Sequence, residues 1–395
     1  MVMPVLILFL FYHLALLLWL IWGAWQLSQL PSEIPGTPST TLPSLTIVVP
    51  ARNEENTISL GLTSLSSLSY PRLSIIVVND RSEDATGKHI ADFEKQDPRI
   101  RCEVVKQLPS DWLGKNHALQ LGAESSESEL ILFTDADVEI DDDFLKRAVT
   151  FFQQKQLDHL AGIPRVVSTD PLLYSLLGVF GLAFSLATRP WQGKDPKKDR
   201  AVGIGAFNLV RRTSYLAMGG HRELKLRPDD DLKLALLMKR HGFKTDCIKA
   251  VNGLQVEWYP NIPALARGLE KNIMTDFEYS FFKAFLANSI FAVTFLLPFL
   301  LLFIMKGPAF VVTCISVGLL LIAYLGQLRE AKMPLWCVPF FPLATFLILI
   351  IFSRACFLTY FRKGVYWRDT FYSLELLRSN IIPRPGRRRS PSTIK

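Results

Sequence analysis

The chain has 395 residues, room for one large or two ordinary domains, and at 49% hydrophobic it is greasier than most soluble proteins. Its net charge of +8 is concentrated at one end, since from Arg362 onward nine Lys or Arg stand against two acids, a pattern of cytoplasmic placement or contact with anionic lipid rather than of nucleic-acid binding. Five scattered cysteines without Cys-x-x-Cys spacing and six dispersed histidines exclude a disulfide framework, a zinc site and a histidine-rich metal centre.

From Met1 to Ser32 there is no Asp, Glu, Lys or Arg, and Pro4 to Trp25 is long enough to cross a bilayer. Without a basic leading region or a small-residue cleavage site, residues 1–29 read as a retained transmembrane anchor. Residues 30–44, rich in Pro, Ser and Thr, read as a linker. A globular domain is then expected over 45–280. Leu45 to Pro50 is a short buried strand, followed by a helical pattern with Ile58, Leu62 and Leu65 on one face. Strands recur at Leu73 to Val78 and Ile100 to Val105, with helices between them and another from about Lys115. This alternation predicts an α/β, Rossmann-like, mostly parallel sheet.

The next strand, Ile131 to Val138, carries Asp135 and Asp137 at its end, where open α/β sheets bind ligands. Residues two apart on a strand share a face, so the pair can hold one ion. Two hard oxygen ligands suit Mg2+ or Mn2+ and leave positions for phosphate oxygens, which points to nucleotide diphosphate chemistry. No Gly-x-Gly-x-x-Gly or Gly-Lys-Ser/Thr loop is present, so polar side chains must contact the nucleotide. Asp80, at a strand end, can accept from a base or ribose. Lys115 brings positive charge to a helix start, where backbone donors also point outward.

Ile47-Val48-Val49-Pro50-Ala51-Arg52-Asn53-Glu54-Glu55, Asp80, Trp112-Leu113-Gly114-Lys115-Asn116-His117 and Asp135-Ala136-Asp137 together resemble family 2 glycosyltransferases. The nearest resemblance is to membrane enzymes that glycosylate lipids, such as ceramide, carotenoid and hopanoid-associated glycosyltransferases, and it covers about residues 45 to 275. It implies a GT-A fold, a nucleotide-sugar donor, UDP-linked, and inversion at the anomeric carbon. By position, Pro50, Ala51, Asn53 and Glu54 would line the nucleotide, Asp80 would meet uracil or ribose, and Lys115 would complete the pocket. Asp135 and Asp137 would hold metal and diphosphate, Asp137 as the more direct ligand.

In the second half, Gly203 to Arg212 reads as a strand whose glycines admit a close neighbour. Pro228-Asp229-Asp230-Asp231-Leu232 resembles the family's acidic motif before a helix, and spacing to Leu234 and Gly242 puts Asp231 on the catalytic base and Asp230 on the acid before it. Three aspartates before a helix also serve as a cap, and Asp141-Asp142-Asp143 reads as only that. Processive members carry Gln-x-x-Arg-Trp, whereas Gln255-Val256-Glu257-Trp258-Tyr259 lacks the arginine, which argues for transfer of a single sugar. Arg267 to Asn272 either supplies that charge or forms an amphipathic helix at the membrane surface.

Leu172 to Ala187 is apolar but short, and reads as an interfacial or core helix. Three longer charge-free runs, Ala284 to Met305, Ala309 to Leu328 and Pro334 to Ser353, make 281–361 a C-terminal membrane block. A cytoplasmic domain would put Met1 outside, and keeping the basic tail of 362–395 inside requires the run from Pro334 to be re-entrant or interfacial; four full spans is the alternative. The sequence thus predicts a multi-pass membrane protein, with domain and tail cytoplasmic, that moves one sugar to a lipid hydroxyl. A scaffold that has kept the fold, a sugar nucleotidyltransferase and a glycoside hydrolase fit less well: the acidic positions are all retained, the first strand lacks a glycine-rich loop, and a hydrolase would leave the membrane block unexplained.

Overall fold

The computed structural model describes residues 2–31, 42–367 and 370–380. Most of the expected linker and the tail beyond residue 380 lie outside them. Helix α1 (Val2–Gln26) precedes the domain. There β1 (Leu45–Ala51), α2 (Ile58–Ser66), β2 (Leu73–Asn79), α3 (Thr86–Gln96), β3 (Ile100–Val104), α4 (Gly114–Glu124) and β4 (Leu130–Phe133) follow the predicted alternation. Then come β5 (Val138–Ile140), α5 (Asp142–Gln154), β6 (His159–Ile163), β7 (Arg165–Val166), α6 (Pro171–Thr188), β8 (Asn208–Arg211), α7 (Arg212–Ala217), α8 (Asp230–Arg240), β9 (Thr245–Lys249), β10 (Leu254–Val256) and α9 (Ile262–Asp276).

A seven-stranded sheet runs β3-β2-β1-β4-β8-β6-β9, parallel except where β8 pairs antiparallel with β4 and β6. The central strands are buried on both faces, alternate residues entering different cores. Leu45, Ile47 and Val49, with Ile75 and Val77, enter one core beneath α2 and α5, while Val48, Ile76 and Val78 enter another shared with α4 and α8. Both faces are therefore covered by helices, giving a GT-A-like α/β arrangement. Register brings Ala51 opposite Asn79, and Val48 opposite Phe133, so β1, β2 and β4 finish along one edge. The order reverses beside β1 there, which opens a crevice. A small sheet, β5-β10-β7, flanks it.

Two local expectations change. The strand expected to carry Asp135 and Asp137 stops at Phe133, and both acids occupy the turn between β4 and β5. The strand expected from Gly203 begins only at Asn208; the preceding glycines lie in a loop, where the backbone of Asp231 approaches Gly203 and the carboxylates of Asp135 and Asp231 approach Gly205.

Beyond α9 the chain forms α10 (Phe281–Phe295), α11 (Leu297–Leu301), α12 (Gly307–Glu330), α13 (Phe341–Arg362), β11 (Gly364–Trp367), β12 (Thr370–Ser373) and α14 (Leu374–Ser379). Among the described residues, four helices are long and apolar enough to cross a membrane: Val2–Gln26, Pro171–Gln192, Gly307–Glu330 and Leu335–Arg362. The run expected as one span from Ala284 is instead broken between α10 and α11, where Pro298 has no N–H to continue the helical ladder. Helix α6 is longer than the sequence suggests, but both its ends return to the domain: β7 precedes it, and beyond it Lys239 Nζ donates to Asp195 O at 2.7 Å.

The run from Pro334 contains a short 3-10 turn and then α13. Both of its flanks are tied to the domain, by Glu330 to Lys249 at 2.7 Å before it and by Arg362 to Glu270 at 2.5 Å after it. Its turn reaches inward, where Phe341 packs on Tyr324 and Phe295. Residues 364–367 and 370–379, expected in the basic tail, are folded: β11, β12 and α14 bury Val365, Tyr372 and Leu377 against Leu113 and Leu226 of the domain.

Candidate active site

The edge where β1, β2 and β4 end forms an open cavity, lined from the domain by Pro50, Ala51, Glu54, Asp80, Lys115, Asp135 and Asp137. These are the expected donor-side residues with one exception. Asn53 adopts φ +53° and ties two loops together, its N–H donating to Ser82 Oγ at 3.1 Å and its Oδ1 accepting from Glu83 N at 2.9 Å. It therefore shapes the cavity from outside the lining. Asp80 is buried and accepts from Arg81 Nε at 2.8 Å.

Lys115, at the start of α4, donates to Asp135 Oδ1 at 2.6 Å. Burial works to lower the pKa of this ammonium, but the carboxylates of Asp135, Asp230 and Asp231 outweigh it and raise it. Asp137 behaves oppositely. Burial, then the neighbouring Asp135 and Glu54, push its carboxyl up to about 7. No ion pair with Asp137 forms among the described residues.

A smaller crevice adjoins this cavity, and Lys115 and Asp135 line both. Its far side holds Asp230, Asp231, His221 and Gly205. The three aspartates expected before α8 have different surroundings. Asp229 is engaged by Arg227 at 2.8 and 2.6 Å and by Lys233 at 3.2 Å, with Arg227 fully buried, which makes it a structural ion pair. Asp230 is buried with His221 Nε2 3.9 Å away, and His221 is kept neutral, its pKa pushed down to about 3 by burial and then by Lys115. Asp231 is the more accessible; Gly205 N donates to its Oδ2 at 2.8 Å and Leu232 N to its Oδ1 at 2.8 Å. Burial raises the pKa of both Asp230 and Asp231 against the opposing charge of Lys115. Asp141, by contrast, caps α5 as expected, accepting from Phe144 N at 3.0 Å.

Three aspects of the wall were not legible as such. Of the segment Arg267 to Asn272, Lys271 is the residue that lines the cavity, and burial and Lys115 push its ammonium down to about 8 against the pull of Asp230 and Asp231. Trp367, Thr370 and Tyr372 of the hairpin close the cavity from a stretch far along the chain that carries no motif. Gln255, where the processive motif would begin, donates to Glu139 at 2.9 Å outside both spaces.

Residues 46–217 match the model described as Glycosyl transferase family 2. Asp230, Asp231 and Lys271 lie beyond that match. Over 184 residues the chain is 28% identical to the 4,4'-diaponeurosporenoate glycosyltransferase of Staphylococcus haemolyticus, covering 46% of this chain and 48% of that protein. The protein of that description from Staphylococcus aureus is 29% identical over 184 residues, covering 45% and 47%. The match thus spans about half the length of these curated relatives. Among solved structures, a mannosyltransferase from Pyrobaculum calidifontis in complex with GDP-Man and Mn2+ superposes with a TM-score of 0.51 at 16% identity, covering 96% of this chain and 97% of that one, a likeness of fold.

Proposed function

We propose that the chain, whose residues 46–217 match the family 2 glycosyltransferase model, is an inverting, metal-dependent membrane enzyme that transfers one sugar from a nucleotide sugar, UDP-linked, to a lipid hydroxyl. The observation that carries this reading is the shared wall: Lys115 and Asp135 stand between the open cavity at the strand ends and the crevice that holds Asp231. Direct displacement needs that division, with diphosphate on one side of the anomeric carbon and a base on the other. Asp231 takes the acceptor proton as the acceptor oxygen attacks, and burial, by raising its pKa, makes it a stronger base than an ordinary carboxylate. Lys115 meets the charge that gathers on the departing diphosphate.

The residues fit a divalent ion. Asp135 and Asp137 offer hard oxygens, and Asp137 has the raised pKa of a carboxylate crowded by other acids, which a cation relieves. No cluster of three His, Cys, Asp or Glu side chains forms a metal site among the described residues, so the remaining positions fall to phosphate oxygens. When bound, Mg2+ or Mn2+ would polarise those oxygens. Loss of the processive arginine and the engagement of Gln255 by Glu139 support transfer of a single sugar.

A lipid acceptor fits a domain seated on apolar helices, and the relatives named above are 4,4'-diaponeurosporenoate glycosyltransferases. For orientation we take the domain and tail as cytoplasmic, Met1 as outside, and the segment between Glu330 and Arg362 as re-entrant, because both flanks bond to the domain. The test is mass spectrometry of lipids from cells with and without the chain. A lipid that gains one hexose or deoxyhexose is expected; no glycosylated lipid, or a polymer in its place, contradicts the reading.

A further inference from the structure

We propose that Lys271 binds the donor diphosphate and stabilises it as a leaving group, with Trp367 as the residue that positions it; this inference rests on the glycosyl-transfer reading above. Four cations line the cavity: Arg52, Arg81, Lys115 and Lys271. Arg81 is paired with Asp80 at 2.8 Å and Lys115 with Asp135 at 2.6 Å. Arg52 also has a partner. Lys271 has no carboxylate bonded to it among the described residues, and its contact is the face of Trp367, with Nζ 4.4 Å from the ring centroid. A half-buried ammonium with an indole against it and no carboxylate bonded to it is better satisfied when an anion enters the cavity. The diphosphate is that anion.

The sequence explains how the lysine reaches the cavity. Helix α9 is amphipathic, and Leu265, Leu269 and Ile273 bury one face in the core shared with α6 and α13. Lys271 lies between Leu269 and Ile273, about 200° around the helix from the first, so it points away from that core toward the domain. Its neighbour Glu270 is gripped from α13 by Arg354 at 3.0 Å and Arg362 at 2.5 Å, which fixes the helix against the apolar block. After Arg362 the chain turns at once into the hairpin that supplies Trp367. One membrane-side element thus holds both the lysine's helix and the ring it rests on.

In the transfer, the bond from the anomeric carbon to the β-phosphate oxygen breaks and a bond from the acceptor oxygen forms. The electron pair remains on that phosphate oxygen, and the acceptor proton goes to Asp231. Lys271 supplies a hydrogen bond and a charge to the phosphate as its negative charge grows, beside Lys115, whose charge Asp135 already shares.

The test is calorimetric titration of the full chain in lipid nanodiscs with UDP and GDP, and with uridine and guanosine. Wild type is expected to bind one of the diphosphates more tightly than its nucleoside. Lys271→Met, nearly equal in length, should weaken that diphosphate by about tenfold to 100-fold with nucleoside affinity unchanged. Lys271→Arg should restore most of the loss, and Trp367→Leu should reduce selectivity for diphosphate over nucleoside without abolishing it. Equal diphosphate affinity in wild type and Lys271→Met overturns the role of Lys271 and leaves the glycosyl-transfer reading standing. Wild type that binds neither diphosphate overturns both. Should Lys271→Met fail to fold, Lys271→Gln carries the same expectation and the same contradiction.

Discussion

Asp135 and Asp231 converge on Gly205: a Cβ built there would lie 2.6 Å from Asp135 Oδ2 and 3.4 Å from Asp231 Oδ2. Two acids from opposite halves of the chain therefore share one glycine as their spacer. Gly205→Ala should push Asp135 away from Lys115 and disturb Asp231, because carbon does not approach a carboxylate oxygen at that distance. We expect turnover to fall by about tenfold or more, while overpacking costs about 1–3 kcal/mol of stability. Rates and thermal melts of the same preparation test this, and normal turnover contradicts it.

This convergence was only partly readable in the sequence. Asp135 and Asp137 were singled out by their place after an apolar run, and that signal is local. The geometry behind it is different, for the strand ends at Phe133 and they sit on a turn rather than along it. The glycines at 203 and 205 were visible as a request for close approach, but which side chain answers depends on the fold. Trp367 and Tyr372 were illegible, since they reach the cavity across the whole membrane block and nothing near them in sequence marks a ligand. The basic composition of the last thirty or so residues concealed a hairpin and helix held by Val365, Tyr372 and Leu377.

The contribution of His159 to the stability of the domain should be lost on acidification. His159 is fully buried, with Nε2 2.8 Å from Asn208 Oδ1, and burial lowers its pKa from 6.5 to about 4. Between those values the unfolded chain binds a proton that the native chain does not, so stability rises with pH and is lost as pH falls through the window. The loss should be on the order of 1–3 kcal/mol, and His159→Gln should flatten it. Melting temperature against pH for both proteins decides; parallel slopes would count against this account.

Asp229 and Asp141 are both acids at helix starts, yet they should differ in cost. Asp229→Ala strands the buried guanidinium of Arg227, worth about 3–5 kcal/mol. Asp141→Ala removes one cap bond, worth about 1 kcal/mol. Denaturant titrations of the two variants should show that order, and equal losses would refute the assignment.

Activity should require Mg2+ or Mn2+ and collapse in Asp137→Ala, since the crowding that raises this carboxyl to about 7 is relieved by a cation. The Lewis-acid contribution is several kcal/mol. Full activity in a chelator would sink the metal assignment.

The most direct measurement is single-turnover transfer by Asp231→Asn beside Asp230→Asn, with nucleotide binding measured on each. Asparagine keeps the shape and one acceptor oxygen, for either Gly205 N or Leu232 N, but not the basicity. We expect Asp231→Asn to lose about 10² to 10⁴ in turnover with donor binding little changed. Asp230→Asn, more deeply buried beside His221, should lose less. Normal turnover in Asp231→Asn would contradict the account, placing the base at Asp230 if that variant alone were dead and outside this crevice if both were active.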